Sequence, residues 1–359
     1  MRLDALKASW QTNYYKEKVK KMTQINAWAA HSPGEKLVPY KFDAGQLRAE
    51  EVEVEVEYCG LCHSDVSVIN NEWGLTQYPL VPGHEIIGTV VALGEQAKGL
   101  EVGQRVGIGW NSECDMYCKQ CLSGNQHLCS KVVPTIIGHP GGFADRVRAQ
   151  WEWVLPLPKE LNASKAGPLM CGGITVFAPL VLNDIKPTDI VGIVGIGGLG
   201  HLAIKFAKAW GCEVYAFTHS ASKHEEAKRF GADHVVSSID GTAINAIAGK
   251  LDMLLVTANV SLDWSKLVAT LAPNGRLHIV GAVLEPIPIA AFDLIMTQRI
   301  VIGSPTGSPA MISKMLEFAA RHEIEPTVEH YPMSKLNDAI AHLVSGKARY
   351  RVVLDADFV

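Results

Sequence analysis

The pattern of apolar and polar positions differs between the two halves of the chain. From Glu51 the segment "EVEVEVEYCG" alternates valines with glutamates. Such a period of two is typical of a strand that buries one face. Further β-like segments, separated by glycine and proline, continue to about Pro168. The first half is therefore predicted to be mainly β.

A different pattern begins near Asp189. The segment "DIVGIVGIGGLGHLAIKFAKAWGCEVYAFTHSASKHEEAKRFGADHVV" alternates short apolar strands with helices, and "LDMLLVTA", "SLDWSKLVATL", "GRLHIVGAV" and "IVIGS" continue the alternation. Six apolar strands with helices between several of them predict an α/β fold, a parallel sheet with helices on both faces. The remainder, from about Ser304, contains a helix-like "MISKMLEFAARHEI" and a strand-like "ARYRVVLDA".

Three glycines, Gly195, Gly197 and Gly200, form a G-x-G-x-x-G pattern. The pattern alone is weak, because glycines also mark ordinary turns. Here it follows an apolar strand and opens an amphipathic helix, which is the context that a dinucleotide-binding loop requires. The glycines allow a tight turn and close approach of the backbone, and the helix N-terminus faces the pyrophosphate. The pattern therefore favours nucleotide binding over a structural turn.

The end of the next strand indicates which cofactor binds. NAD-binding proteins usually carry an acidic residue about 20 residues after the glycines, to hold the ribose hydroxyls. Here "THSASKH" follows the strand, and no carboxylate appears before Glu225. Lys223 would attract the 2'-phosphate of NADPH, although it could also be a solvated lysine. The predicted cofactor contacts are Gly195, Gly197, Gly198, Leu199, Gly200, Thr218, His219, Ser220, Ser222, Lys223, Val280, Gly281 and Gly303.

Length and charge exclude several classes of protein. The 359 residues exceed what one core usually supports, so two domains are expected. The net charge of -4 provides no basic field for nucleic acid or an anionic membrane. No apolar run approaches the roughly 20 residues of a membrane span. Residues 1–21 contain no apolar stretch typical of a signal peptide, and we interpret them as a disordered extension or an upstream start before Met22. An organelle-targeting helix is the alternative.

Without a secretion signal the chain is expected in the cytoplasm, where clustered cysteines indicate metal binding or catalysis. One set comprises "CGLCHSDVS", "VPGHEIIG" and "LMCGGITV". The other is "WNSECDMYCKQCLSGNQHLC", which holds four of the eight cysteines. Each residue alone could be an ordinary buried side chain.

Together these motifs resemble the zinc-dependent medium-chain dehydrogenase/reductase superfamily, in its cinnamyl-alcohol-dehydrogenase-like branch, and above all bacterial NADPH-dependent aldehyde reductases of broad specificity. The resemblance runs from Met22 to the C-terminus through "GLCHSD", "NEWG", "YPLVPGHEIIG", "CGGITVF", "GIGGLGHLAIK" and "GKARYRVVL". It implies a GroES-like β-barrel catalytic domain (22–170 and 304–359) and a Rossmann domain (171–303), with the active site between them. It also implies a homodimer.

The resemblance further implies a catalytic zinc ion. Cys62, His84 and Cys171 would hold it, with Glu85 as an exchangeable fourth ligand, since a catalytic zinc keeps one position open. Asp65 would orient the His84 imidazole. Two more positions follow from the same resemblance: Thr175 near the nicotinamide and His63 near the cofactor phosphates.

The implied reaction is reversible hydride transfer from NADPH to an aldehyde whose carbonyl is polarised by zinc. Ser64 would supply the proton through the cofactor ribose. Many relatives place a histidine three residues later to exchange that proton with solvent, but here the position is Ser67. Water or another group must therefore complete the relay.

The cysteine loop is expected to hold a second, structural zinc. The family's usual spacing is C-x2-C-x2-C-x7-C; Cys118, Cys121 and Cys129 keep it, but Cys114 lies one residue early. Asp115 occupies the first ligand position. We expect Cys114 as the fourth ligand because a thiolate is softer, with Asp115 as the alternative.

The pocket is less clear from sequence: Trp73 and Trp110 could line an apolar substrate cleft or pack in the core. The predicted function is aldehyde reduction with NADPH on a small-molecule substrate. One alternative is an NAD-dependent polyol or secondary-alcohol dehydrogenase of the same fold. The other is a non-catalytic zinc or nucleotide-binding protein.

Overall fold

The computed structural model describes residues 23–358, so the predicted extension, residues 1–21, lies outside the described part. Two large sheets dominate it, one of seven strands and one of six. The strands are β1 (Gln24–Ala29), β2 (Val38–Asp43), β3 (Glu51–Leu61), β4 (Glu85–Leu93), β5 (Arg105–Ile108), β6 (Asn111–Glu113), β7 (Val133–Pro134), β8 (Arg146–Gln150), β9 (Val154–Pro156), β10 (Ile190–Val194), β11 (Glu213–Thr218), β12 (His234–Ser237), β13 (Leu251–Val256), β14 (Leu271–Ile279), β15 (Ile300–Gly303), β16 (Val328–Pro332) and β17 (Arg351–Asp355).

The helices are mostly short. They are α1 (His63–Ile69), α2 (Lys119–Leu122), α3 (Ala163–Ala166), α4 (Gly172–Leu182), α5 (Gly200–Trp210), α6 (His224–Phe230), α7 (Gly241–Asn245), α8 (Trp264–Ala269), α9 (Ala291–Ile295), α10 (Pro309–Arg321) and α11 (Leu336–Val344). Among residues 23–358 no single helix is long and apolar enough to cross a membrane, although α3 and α4 with the turn between them pass that test as a bent pair. Helix α4 is nearly all buried in the protein core.

The seven-stranded sheet, which we call the mixed sheet, has the order β16-β17-β3-β4-β5-β9, with β8 also paired to β3. The predicted strand at Glu51 is confirmed as β3, but the expected alternation holds only in part, since Glu55 is exposed whereas Glu53 is buried. Glu53 is only 4% exposed. Its carboxylate pairs with Arg146 and Arg148 of the neighbouring β8, at 2.9 and 2.7 Å. Two arginines of the paired strand β8 therefore bury the carboxylate of Glu53. The alternation of valine and glutamate did not predict this burial.

The six-stranded sheet, which we call the parallel sheet, has the order β12-β11-β10-β13-β14-β15 with every pair parallel. This confirms the predicted doubly wound sheet. The strand order reverses between β10 and β13, and ligands bind in such sheets at the carboxyl ends of the strands beside that reversal. The glycine pattern directly follows β10, which places it at this point.

The end of the chain returns to the mixed sheet. Strand β17 pairs antiparallel with β3, from Val352 opposite Leu61 to Asp355 opposite Tyr58. All six strands of the parallel sheet lie between residues 190 and 303. The domain bounds stated above, 22–170 with 304–359 and 171–303, stay a prediction.

Candidate active site

Four potential metal ligands converge where the mixed sheet faces the parallel sheet. Cys62 follows β3, His84 directly precedes β4, Glu85 begins that strand, and Cys171 precedes α4. One ligand atom from each lies within 4.8 Å of the others. The Nε2 atom of His84 lies 3.3 Å from the Sγ atom of Cys171. Residues separated by more than 100 positions thus form one compact set of N, O and S atoms.

Asp65 fixes the orientation of the imidazole of His84. The Oδ1 atom of Asp65 lies 2.9 Å from His84 Nδ1 and accepts the Gly83 N–H at 3.0 Å. Its Oδ2 atom accepts the Cys62 N–H at 2.9 Å. Both side chains are fully buried. With Nδ1 occupied by the carboxylate, Nε2 is directed at the thiols, as in metal-binding histidines held by a second carboxylate.

The two thiols lie close enough to influence each other's protonation. A hydrogen bond from Cys171 lowers the pKa of Cys62 well below its ordinary value. The same hydrogen bond raises the pKa of Cys171. Burial raises the pKa of Glu85, although the guanidinium of Arg351 opposes this. The group therefore readily carries a thiolate, the form of cysteine that binds metal.

The residues fit a zinc ion. Zinc bonds of about 2.3 Å to sulfur and about 2.0 Å to nitrogen in a tetrahedron place S and N roughly 3.5 Å apart, close to the observed spacing. The Oε2 atom of Glu85 is buried without a hydrogen-bond partner among the described residues. A Cβ on Gly60 would lie 2.0 Å from that oxygen, so the site keeps room for the carboxylate. Three of the four side chains are buried and Cys62 is partly exposed, which leaves one open side.

That open side faces a cleft of about 600 Å³ between the two sheets. Cys62, His63 and Ser64 line one wall, together with Ser67, Glu72 and Trp73. The opposite wall includes most of the predicted cofactor contacts: Gly195, Gly197, Gly198, Leu199, Thr218, His219, Lys223, Val280 and Gly281. The predicted contacts that do not line this cleft are Gly200, Ser220, Ser222 and Gly303.

Each glycine of the G-x-G-x-x-G loop occupies a position with a different steric environment. Gly195 has a φ of 91°, which favours glycine. A Cβ on Gly200 would lie 1.8 Å from the carbonyl oxygen of Gly195. Gly197 meets nothing within 4 Å. No protein atom requires a glycine at that position, and the free space fits close approach of a phosphate group.

Lys223 lies beside this loop. Its Nζ atom donates to the carbonyl oxygen of Ile196 at 2.7 Å. Strand β11 ends at Thr218, whose Oγ1 accepts the Ser220 N–H at 3.1 Å. The hydroxyls of Ser220 and Ser222 lie 2.8 Å apart. The strand end that carries an acid in NAD-binding proteins therefore presents hydroxyls and an ammonium.

A second cluster lies in the cysteine loop. Asp115, Cys118, Cys121 and Cys129 each offer a ligand atom within 4.8 Å of the others. The Oδ1 atom of Asp115 accepts the Cys118 and Tyr117 N–H groups at 3.0 and 3.2 Å and lies 3.4 Å from Cys121 Sγ. These bonds, the one from Cys118 foremost, lower the pKa of Asp115 to about 2. The side chain is held ionised and directed at the thiols.

Cys114 is not part of this group. Its Sγ atom lies 3.2 Å from the sulfur of Met116, and its N–H donates to Gln150 at 3.0 Å. Met116 has a φ of 62°, so the chain turns sharply directly after Asp115. That turn sends the Asp115 side chain into the cluster and leaves Cys114 at its edge. The geometry therefore supports Asp115, the alternative, and the choice between Cys114 and Asp115 as the fourth ligand stays a prediction.

Known proteins show the same combination of domains. The family described as "Alcohol dehydrogenase GroES-like domain" matches residues 48–159, and the one described as "Zinc-binding dehydrogenase" matches residues 198–321. Aldehyde reductase AdhA of Synechocystis sp. is 54% identical, over 92% of this chain and 98% of its own. The structure of a cinnamyl alcohol dehydrogenase, SbCAD4 of Sorghum bicolor, is 35% identical with a TM-score of 0.89, covering 93% of this chain and 98% of its own. That of a Helicobacter pylori cinnamyl alcohol dehydrogenase complexed with NADP(H) is 29% identical with a TM-score of 0.86, over 93% and 99%.

The chain belongs to the zinc-dependent medium-chain dehydrogenase/reductase family. It is a zinc-dependent oxidoreductase of the alcohol dehydrogenase and aldehyde reductase class. The predicted fold, a GroES-like domain with a Rossmann-type parallel sheet, is confirmed. The alternative of a non-catalytic zinc or nucleotide-binding protein is excluded by this membership.

Two tryptophans of the dehydrogenase border the group of candidate metal ligands. Trp110 meets His84 edge-on, with ring centroids 4.9 Å apart. Trp73 meets Trp110 at 6.0 Å and lines the cleft. Trp73 therefore forms part of the cleft wall, and Trp110 packs against both Trp73 and His84. Thr175 lies on α4, where its N–H donates to Cys171 at 3.0 Å, and it is nearly buried.

The sequence analysis missed Arg351. The guanidinium is 5% exposed, lines the cleft, and forms an ion pair with the buried Glu85. The sequence does mark this residue, because a charged Arg351 begins the otherwise apolar "RVVL" of the last strand, where a buried charge needs a partner. Thr257 was also missed: its hydroxyl donates to Val194 and Gly195 carbonyl oxygens at 2.9 and 2.8 Å and so fixes the glycine loop. No sequence signal marks that threonine.

Proposed function

We propose that the dehydrogenase reduces a broad range of aliphatic and aromatic aldehydes to primary alcohols with NADPH, reversibly, in the cytoplasm. One observation carries the proposal: the Cys62–His84–Glu85–Cys171 group and the glycine loop with Lys223 border the same cleft. The similar Synechocystis protein is named an aldehyde reductase. The similar Helicobacter pylori enzyme was solved with NADP(H). Both support this choice of substrate and cofactor.

In the proposed mechanism Cys62, His84 and Cys171 would hold zinc, with Glu85 as the exchangeable ligand. When bound, the ion would supply a Lewis acid for a carbonyl oxygen and the nicotinamide would supply the hydride. The chain's own residues then place substrate and proton. Asp65 keeps the imidazole of His84 oriented, and the wall that contains Trp73 offers apolar surface to the substrate. The hydroxyl of Ser64 lies 3.7 Å from Cys62 Sγ, where it can donate a proton to the forming alcohol.

Ser67 and Glu72 extend this proton path toward solvent. Both line the cleft with Ser64, and Glu72 is exposed at its rim. A hydrogen bond from the Ser67 hydroxyl, assisted by one from Asn70, lowers the pKa of Glu72. The Asn70 amide donates to Glu72 Oε1 at 3.1 Å. We propose that this hydroxyl–carboxylate pair serves where many relatives have a histidine.

The cofactor choice is tested by measuring kcat/KM for NADPH and NADH with one aldehyde. We expect NADPH to be preferred, because Lys223 attracts the 2'-phosphate and no acid at the end of β11 repels it. In Lys223→Ala the value for NADPH should fall about tenfold or more, the effect of one charge-assisted hydrogen bond, while NADH changes little. Equal values for both cofactors in the wild type would refute the proposal. Equal loss for both in the variant would remove Lys223 from the phosphate site.

The proton path is tested by Ser64→Ala. We expect kcat to fall by roughly 10²-fold, a typical contribution of one positioned proton donor. Zinc content should stay unchanged, because Ser64 is not a ligand. Ser67→Ala and Glu72→Gln should cause smaller losses, since water can substitute at the rim. A Ser64→Ala enzyme with normal kcat would show that the proton comes from another group.

The rival function within the family is a polyol or secondary-alcohol dehydrogenase that prefers NAD. The absence of an acidic residue between Thr218 and Glu225 argues against it. A panel of aliphatic aldehydes, aromatic aldehydes, mannitol and secondary alcohols, each with both cofactors, separates the two. Turnover confined to polyols with NAD would establish the rival.

We further propose that the enzyme is a homodimer joined along β15. This strand is one of the two edges of the parallel sheet, since within residues 23–358 it pairs only with β14. An exposed hydrophobic edge strand is a template for pairing with another chain. The strand and the short helix α9 before it carry large exposed apolar side chains, a mark of a protein interface. They are Phe292, Ile295, Met296, Ile300 and Val301.

The dimer is tested by light scattering during size-exclusion chromatography. Wild type should elute with the mass of two chains, and Phe292→Glu, at a site 72% exposed, should shift it to one. Val102→Glu, an equally apolar exposed site outside this patch, is the matched control and should stay dimeric. A monomeric wild type would overturn the proposal.

For the cysteine loop we propose a structural zinc ion held by Asp115, Cys118, Cys121 and Cys129. The four atoms are close, and none of these side chains lines the cleft, so the ion would serve the fold and not the reaction. Three cysteines with one carboxylate depart from the usual four cysteines of closed sites. The enzyme would then hold two zinc ions in each chain, one in each of the two groups.

A further inference from the structure

The C-terminal segment inserts one aromatic side chain, Tyr350, between helices that cover the parallel sheet. The ring stacks on His201 of α5, with centroids 5.0 Å apart at 21°, and meets Phe230 of α6 edge-on at 5.0 Å. Tyr350 is only 5% exposed. Its backbone N–H donates to Thr327, just before β16 of the mixed sheet. Tyr350 therefore directly precedes β17 of the mixed sheet and packs against two helices that flank the parallel sheet.

Lys223 lies against this tyrosine. Its Nζ atom is 5.7 Å from the centre of the Tyr350 ring, and the same atom donates to Ile196 in the glycine loop at 2.7 Å. An ammonium over a tyrosine ring is attracted to the ring's π electrons. The flexible lysine side chain is thereby held in one position, between the ring and the loop that faces the cofactor phosphates.

Tyr350 and the preceding Arg349 also contact a nearby carboxylate, that of Glu226. Glu226 lies on α6, one helical turn after Lys223, and a free carboxylate there would repel a 2'-phosphate. The Tyr350 hydroxyl donates to Glu226 Oε2 at 2.5 Å, and the Arg349 guanidinium lies 3.8 Å from the same oxygen. Arg229 lies 4.0 Å from the other carboxylate oxygen. Glu226 thus has one hydroxyl donor and two guanidinium groups around its carboxylate.

We propose that Tyr350 is a positioning residue for the 2'-phosphate of NADPH: its ring fixes Lys223 beside the glycine loop, and its hydroxyl, with Arg349, neutralises Glu226. The inference rests on the proposed preference for NADPH. Cofactor selection would then depend on a residue next to β17 of the mixed sheet, and not only on the loop that follows β11. Arg349 and Tyr350 act near the proposed phosphate site, and the next residue, Arg351, pairs with Glu85 of the candidate metal group. Three consecutive residues would thus connect the two sites.

The test is the dissociation constant of NADPH and of NADH, measured on the zinc-loaded full chain by quenching of protein fluorescence. Tyr350→Leu removes both ring and hydroxyl, and should lower the ratio Kd(NADH)/Kd(NADPH) about tenfold, the effect of one desolvated cation–π contact. Tyr350→Phe keeps the ring and should lower it less. The matched control is Tyr215→Leu, since Tyr215 also stacks on a histidine, His234, with no contact to Lys223. The control should leave the ratio unchanged.

Adding Tyr350→Leu to Lys223→Ala should lower the ratio only by the smaller amount seen in Tyr350→Phe, because the ring acts through the lysine and the hydroxyl acts through Glu226. If Tyr350→Leu weakens NADPH and NADH equally, the tyrosine is only a structural contact, and the inference fails while the NADPH preference stands. If the wild-type ratio is near one and Lys223→Ala does not move it, the proposed cofactor choice itself fails. Should Tyr350→Leu not fold, an unchanged ratio in Tyr350→Phe would also overturn the role of the hydroxyl.

Discussion

Replacing Cys62 or Cys171 by serine is expected to abolish aldehyde reduction while NADPH still binds. A serine hydroxyl is a poor zinc ligand, and without the ion nothing in the cleft polarises the carbonyl as strongly. Metal polarisation supplies several kcal/mol, so turnover should fall by about 10³-fold or more. The predicted cofactor contacts lie on the opposite wall of the cleft, so they should remain intact.

Three measurements on each variant decide this prediction: zinc content, kcat with a simple aldehyde, and the Kd for NADPH. Cys212→Ser is the matched control, because Cys212 is a buried thiol of the parallel-sheet side that touches neither group of ligands. The control should keep its zinc and its turnover. A Cys62→Ser or Cys171→Ser enzyme with near-normal kcat would remove that cysteine from the proposed ligand set.

Local motifs predicted the elements of this site well. The glycine loop sits between a strand and a helix, and Cys62, His84 and Cys171 each lie in a short segment with a distinctive neighbourhood. Such segments are recognisable because a few neighbouring residues must provide both the required backbone turn and the ligand side chains. Their convergence within 4.8 Å depends on sheet pairing over long separations, which composition and periodicity do not contain.

Residues that act across long separations were therefore the ones missed or misjudged. Arg351 meets Glu85 across 266 positions, and only the pairing of β17 with β3 brings them together. Glu53 was expected on an exposed face, but β8 returns from 95 positions away with Arg148 to cover it. In both cases a charge that looks solvated in the sequence has a buried partner.

In the cysteine loop the choice of the fourth ligand depends on the geometry of a single residue. Spacing alone placed Asp115 in the first ligand position, but preference for a thiolate favoured Cys114. The left-handed backbone of Met116 supports Asp115, because it turns the chain so that the Asp115 side chain lies beside Cys118, Cys121 and Cys129. A positive φ at a non-glycine residue is not evident from sequence.

Asp115→Ala is expected to lose about one zinc ion per chain, whereas Cys114→Ser should keep both. Three cysteines remain in the alanine variant, but the fourth position is empty and the backbone N–H groups of Tyr117 and Cys118 lose their acceptor. The loop should then open, exposing the small core around Trp153. Metal analysis of the two purified variants, with thermal unfolding beside it, measures both effects.

The sharpest form of this test supplies a thiolate at the position where the ligand already points. Asp115→Cys should restore the zinc that Asp115→Ala loses, because a fourth cysteine gives the commonest closed zinc site. Combining it with Cys114→Ser should make no difference. If Cys114→Ser loses zinc and Asp115→Ala does not, the loop rearranges around the metal and Cys114 is the ligand after all. If the wild type carries one ion and neither variant changes that count, the loop is held by its own hydrogen bonds and binds no metal.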